Sequence, residues 1–234
     1  METTERIALN NFLKQFIAEK RLQRFEEVLN NRIGHLHIVL ENIFQAHNAA
    51  AVVRSCDGFG IQHVHFIENK NHLKISDEVA MGSSQWMTLH RYNDAENNSL
   101  KALRSLKQQG FKIVATSPHQ NQFTLDTLPI DQKIALVFGT EKLGISQDVY
   151  NEADAFVALP MLGFTESFNI SVCAALCMYE LSRRIRKEVQ HPFLAQEEKE
   201  EVMHKWLCAS VDNSEALLKR FADDEKRRGN SIGL

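Results

Sequence analysis

Six short runs rich in β-branched and aliphatic residues recur between positions 37 and 161: HIVLENI, HVHFI, WMTLHRY, FKIVAT, KIALVFG and AFVALPM. Each has the length of a strand, and helical patterns lie among them. Strands this apolar must be buried on both faces. The chain therefore reads as an α/β domain, a largely parallel sheet with helices on both sides. QGFKIVAT shows the rhythm: Gly110 closes a helix that starts near Asp94, and the next strand begins at once. In an open sheet of this kind, ligands bind beyond the carboxyl ends of the strands. The loops to inspect are ENIFQAHN, ATSPHQN, FGTEKLGIS and LPMLGFTESFN.

The flanks have another character. Residues 1–32 place Leu9, Phe12, Leu13 and Phe16, then Leu22, Phe25, Val28 and Leu29, at helical spacing without Gly or Pro. Residues 191–234 turn helical and polar after Pro192, with an apolar stripe of Leu217, Leu218 and Phe221. The expected organisation is an N-terminal helical extension (1–32), a sheet domain (33–190) and a C-terminal helical extension (191–234). No apolar run reaches membrane-spanning length, and METTERIALNNFLKQF lacks a secretory pattern, so no membrane partner is expected.

The four cysteines, Cys56, Cys173, Cys177 and Cys208, form no CxxC pair. Cys173 and Cys177 lie one helical turn apart in an apolar run and read as reduced core residues, which points to a cytoplasmic setting. The net charge of −3 gives no general attraction for nucleic acid. Polyanion binding would need a local patch such as KRLQR from Lys20, RRIRK from Arg183 or KRR from Lys226. Each has acidic neighbours and reads as readily as an ion-paired helix face.

Several familiar sites are excluded. GTEKLG has Ile145 where a phosphate loop needs its lysine, and GFGIQH lacks the third glycine of a dinucleotide turn. His35/His37 and His63/His65 put imidazoles on one strand face without a third ligand, so no metal site is expected. No Gly-x-Ser-x-Gly nucleophile turn occurs.

Three polar clusters remain at strand ends. In AHNAAAVVRSCDGFG, Asn48 stands where it can cap a helix, and Arg54 follows six residues later. In VFGTEKLGIS, Gly139 and Gly144 free the backbone to approach a ligand, with Glu141 between them. In LPMLGFTESFNISVCAAL, Thr165, Glu166, Ser167, Asn169 and Ser171 crowd the start of an apolar helix. One cap accounts for one polar residue, not five, and a helix start can hold an anion.

Together these clusters resemble the three motifs of the SPOUT class of RNA methyltransferases, in particular its TrmH-type tRNA ribose 2′-O-methyltransferases. The likeness rests on N-x5-R in HNAAAVVRSCDGFGI, on FGTEKLGIS, and on LPMLGFTESFNISVCAAL with its Ser-x-Asn. It spans about Ile33 to Arg186, and the short N-terminal flank looks more like the tRNA enzymes than the ribosomal-RNA ones. The resemblance implies a C-terminal trefoil knot, where pattern reasoning alone predicts an ordinary doubly wound sheet. It also implies S-adenosylmethionine as cofactor, a homodimer, and tRNA as substrate with a D-loop guanosine as target. A ribosomal-RNA 2′-O-methyltransferase and an RNA-binding protein without activity are the alternatives.

By the same likeness, Thr116, Gly139, Leu159, Met161 and Phe168 hold the cofactor. Arg54, Asn48, Glu141, Ser167 and Asn169 form the catalytic group, with Arg54 and Ser167 also meeting RNA. The basic clusters, not the likeness, offer Arg24, Arg183, Arg186 and Lys187 as candidates for a wider RNA surface. The family match puts Arg54 at the ribose hydroxyl. Holding any arginine neutral at pH 7 costs roughly 7–9 kcal/mol, so a charged clamp on phosphate and developing alkoxide is the better chemistry. A phosphate oxygen or water then takes the proton. Asn48 orients Arg54, Glu141 positions it or the nucleotide, Ser167 anchors the phosphate and Asn169 pins the helix start.

Overall fold

All six aliphatic runs are strands: β1 (Leu36–Glu41), β2 (His63–Ile67), β3 (Thr88–Tyr92), β4 (Lys112–Thr116), β5 (Ile134–Phe138) and β6 (Ala155–Val157). The computed structural model describes residues 3–70, 82–118, 120, 122–140, 143–227 and 229. The strands form one parallel sheet in the order β3-β2-β1-β5-β4-β6. Among the described residues, the chain divides into two units, 33–192 and 1–32 with 193–234.

In the sheet unit, α3 (Ala46–Phe59) and α6 (Ile170–Glu188) cover one face, and α4 (Asn98–Gln108) and α5 (Gln147–Glu152) the other. Alternation along each strand assigns the side chains. Ile38 and Leu40 of β1 face Val52, Val53 and Met178, whereas Val39 faces the core of Ala102, Leu103 and Leu106. Helix α4 starts at Asn98 rather than near Asp94, because the Asn97 side chain accepts from Leu100 N and fixes the cap there. Gly110, two residues past the helix, takes φ +83° and turns the chain into β4.

The histidine face is a ladder rather than two separate pairs. His37 and His65 share a 3.0 Å ring-nitrogen hydrogen bond, and His63 and His90 share one of 2.9 Å. His37 stacks on His63 at 4.3 Å and His65 on His90 at 4.2 Å. The parallel register of β2 and β3 sets His65 beside His90. Among the described residues, no group of three or more His, Cys, Asp or Glu is arranged to hold a metal ion.

The second unit combines both ends of the chain. Helices α1 (Thr3–Lys14) and α2 (Glu19–Asn30) pack against α7 (Gln196–Ser210), and α1 also against α8 (Ser214–Arg227). Leu9, Leu13, Phe25, Leu29, Trp206 and Leu207 are buried there. Phe12 stacks on Phe221 at 4.5 Å. The amide of Asn10 ties α1 to α7 through Glu200 and His204. The two flanks pack together as one helical unit. No described helix is long and apolar enough to cross a membrane.

Candidate active site

The carboxyl ends of the neighbouring strands β5, β4 and β6 open into a cavity of about 410 Å³. Thr116 ends β4 and its hydroxyl donates to Val137 O at 3.0 Å, tying the rim of β4 to β5. Gly139 follows β5. A side chain there would collide with the backbone of Gly144 and Ile145, so only glycine fits. That close approach comes from the paired backbone of Thr140 and Gly144, bonded at 2.9 and 3.0 Å, with Gly144 at φ +65°. Leu159, Met161, Ser167 and Phe168 close the cavity from the loop after β6. All five expected cofactor residues, Thr116, Gly139, Leu159, Met161 and Phe168, therefore line one cavity.

The start of α6 explains part of the polar crowd. Asn169 is the N-cap, and its Oδ1 accepts from Ser171 N at 2.9 Å and from Ser171 Oγ at 2.6 Å. Its Nδ2 donates to Asn48 Oδ1 at 3.3 Å. Asn48 is not the cap of α3, which Gln45 occupies. It is the third residue of the helix, buried, and its Nδ2 donates to Gln45 Oε1. Asn48, Asn169 and Ser167 are thus gathered at one end of the α3–α6 pair. Arg54 lies further along α3, exposed, and is not among the cavity's lining residues. Glu141 lies outside the described residues.

The expected RNA-contacting cations differ in their surroundings. Arg183 is exposed and pairs with Glu180 at 2.7 Å, which raises its already high pKa. Lys187 is exposed in the last turn of α6. Arg186 is half-buried and donates to Phe59 O at 3.0 Å, where α3 ends. Arg24, in the helical unit, is exposed and paired with Glu27 at 3.1 Å.

Several residues of the site carry no readable sequence signal. Glu41, 1% exposed, accepts from Ser99 Oγ, from Ser146 N at 2.9 Å and from Ser146 Oγ at 2.6 Å. It thereby fixes the end of the glycine loop, since Ser146 also caps α5. Tyr150 of α5 borders the cavity and receives a hydrogen bond from Gln120 at 3.2 Å. Cys173 and Cys177 also border it. Ser146 and its partner Glu41 are 105 residues apart, so no local pattern links them.

The lining suits a particular kind of ligand. Leu159, Phe168, Val157 and Ile170 offer apolar surface, while Thr116, Thr140 and Ser167 offer hydroxyls. Among the described residues no Lys or Arg lines the cavity, and Glu166 is its one acid. That mixture suits a ligand with both apolar and hydrogen-bonding parts.

A parallel α/β sheet with a ligand-sized cavity walled by a glycine loop at its strand ends belongs to the class of α/β proteins that bind ligands beyond the carboxyl ends of their strands. The chain belongs to the SpoU rRNA Methylase family, whose model matches residues 35–179. A tRNA (guanosine(18)-2′-O)-methyltransferase of Borreliella burgdorferi is 41% identical over 201 residues, covering 86% of this chain and 90% of that protein. The Thermus thermophilus protein of the same name is 32% identical, over 81% of this chain and 96% of its own. The crystal structure of the A. aeolicus TrmH/SpoU tRNA modifying enzyme superposes with a TM-score of 0.73 at 30% identity, covering 82% of this chain and 98% of that one.

Proposed function

We propose that this protein is an S-adenosylmethionine-dependent tRNA ribose 2′-O-methyltransferase that modifies guanosine 18, in the D-loop, and works as a homodimer in the cytoplasm. The observation that carries this reading is the convergence of Thr116, Gly139, Leu159, Met161 and Phe168 on one cavity at the ends of β4, β5 and β6. The similarity to the tRNA enzymes of B. burgdorferi and T. thermophilus supports the choice of tRNA over ribosomal RNA.

When bound, S-adenosylmethionine supplies an electrophilic methyl group on a sulfonium. In this reading Leu159 and Phe168 offer apolar walls for its purine, and the glycine loop brings backbone groups to its polar parts. Ser167, a lining residue of the cavity and exposed, meets the RNA phosphate in this reading. The Asn48–Asn169 bond sets the relation between α3 and α6.

Arg54 serves as a charged clamp for phosphate and developing alkoxide. Because it lies outside the cavity of its own chain, it acts in this reading on the cavity of a second copy. Glu141 keeps the positioning role its motif implies. Val172, Leu176 and Tyr179 form an exposed apolar stripe on α6, 47%, 42% and 57% accessible, and Phe164 is fully exposed nearby in sequence. Such a stripe supports pairing between copies. The trefoil knot belongs to this reading through the family likeness.

The test is to incubate the protein with labelled cofactor and either tRNA or ribosomal RNA, then identify the methylated nucleoside by mass spectrometry. The reading predicts 2′-O-methylguanosine in tRNA at position 18. Label in ribosomal RNA alone, or RNA binding without transfer, would overturn it.

A further inference from the structure

Two thiols face the cavity, and the methyl-transfer reading uses neither. Cys173 and Cys177 lie one turn apart on α6 and both border the 410 Å³ space. They differ in setting. Cys177 is 1% exposed and belongs to the core, whereas Cys173 is only partly buried and packs against that core from the cavity side. Both are free.

We propose that Cys173 is a site of covalent modification inside the cavity, reactive toward small α,β-unsaturated carbonyl compounds. The thiol adds across the carbon–carbon double bond. The Sγ–C bond forms, the π bond breaks, and the thiol proton ends on the adjacent carbon, with nothing oxidised or reduced. The cavity admits a small electrophile, and its apolar walls suit an uncharged one.

Two features favour the reactive thiolate at this position. Cys173 closes the first turn of α6, its N–H donating to Asn169 O at 2.9 Å, so it lies near the positive end of a helix of 19 residues. A hydrogen bond from the Cys177 thiol holds Cys173 below its ordinary pKa, against the effect of burial. The same contact and burial push Cys177 well up. The other cysteines are less reactive by geometry. Cys56 is fully buried with its sulfur 3.4 Å from Met178 Sδ. Cys208 lies 3.6 Å from His204 Nε2, but burial and Glu215 raise its pKa.

On the reading of the cavity as the cofactor site, modification of Cys173 and cofactor occupancy exclude each other. The experiment treats the wild-type protein with limiting N-ethylmaleimide and maps adducts by peptide mass spectrometry over time, so no variant has to fold. Adducts on Cys173 are expected at least ten-fold faster than on Cys56, Cys177 or Cys208. Equal rates at Cys173 and the buried thiols, or a first adduct on Cys208, would overturn the proposal. A parallel arm adds saturating S-adenosylhomocysteine, with its binding measured separately by equilibrium dialysis. Slowing at Cys173 of ten-fold or more supports both the thiol site and the cofactor site. Fast labelling that bound S-adenosylhomocysteine leaves unchanged supports the thiol site and instead removes the cofactor from this cavity.

Discussion

Asn169 donates from Nδ2 to the Oδ1 of Asn48 across 3.3 Å and joins the cap of α6 to the first turn of α3. The residues are 121 positions apart. One side chain thus does two jobs, capping its own helix through Oδ1 and holding a second helix through Nδ2. The two jobs separate by substitution. Asn169→Ala removes both, costing about 1 kcal/mol for the cap alone, or roughly 2–4 °C in melting temperature. Asn169→Asp keeps the cap acceptor and loses the donor. It should restore most of the melting temperature while methyl transfer stays at least ten-fold down. Equal activity of the Asp variant and wild type in a transfer assay would refute a role for the bridge.

Gly139 allows the glycine loop to close. Gly139→Ala places a methyl group against the backbone of Gly144 and Ile145, which cannot yield as a flexible side chain could. The loop must open, so S-adenosylhomocysteine affinity by calorimetry should fall more than ten-fold. Gly144→Ala strains a backbone at φ +65° without a collision, costing about 1 kcal/mol, and should weaken binding less. The reverse order would mean that close approach is not what the glycine provides.

Glu41 holds the far end of the same loop. Glu41→Ala strands the Ser146 N–H and two hydroxyls, at about 1–3 kcal/mol. The expected result is a lower urea midpoint together with a raised KM for the cofactor, and partial rescue of KM by Glu41→Gln. A change in stability with no change in KM would confine Glu41 to the core.

The histidine ladder makes the fold sensitive to acid. His37 and His65 are held well below 6.5, first by burial and then by neighbouring imidazoles, His63 and His90 for both and Lys133 for His37. Tyr92 and Phe111 pack on the same rings. The folded state keeps both neutral, while the unfolded chain takes up protons near pH 6.5. Their contribution is therefore fully present above that value and is lost as pH falls below it, by up to about 1.4 kcal/mol per group per pH unit. The urea midpoint should fall between about pH 7 and pH 5.5, less steeply in His37→Phe. A midpoint that rises on acidification would contradict this account.

The strands were legible because each run is short, and in β1, β2 and β5 every residue is buried, so no amphipathic helix competes there; β3, at the sheet edge, is only partly covered. The cavity was legible in part, because Gly139 and the Ser167–Asn169 motif mark places where backbone and polar groups must converge. Asn48 misled local reasoning. Its position fits a cap, but Gln45 ends the extended segment and Asn48 is drawn instead toward Asn169. Glu41 was invisible, since an acid at the end of a strand normally reads as solvent-exposed, and its partners Ser99 and Ser146 arrive from elsewhere in the chain. The packing of α1 on α7 was equally hidden, because helical periodicity shows which face is apolar and not what covers it. The clustered histidines follow from strand register, which sequence spacing within one strand does not contain.

The central claim is that the cavity at the ends of β4, β5 and β6 holds the methyl donor. The most direct measurement is a crystal structure of the protein with S-adenosylhomocysteine. Density for the nucleoside among Thr116, Gly139, Leu159, Met161 and Phe168 is the predicted result. Density elsewhere on the molecule, or an empty cavity at saturating ligand, would contradict it.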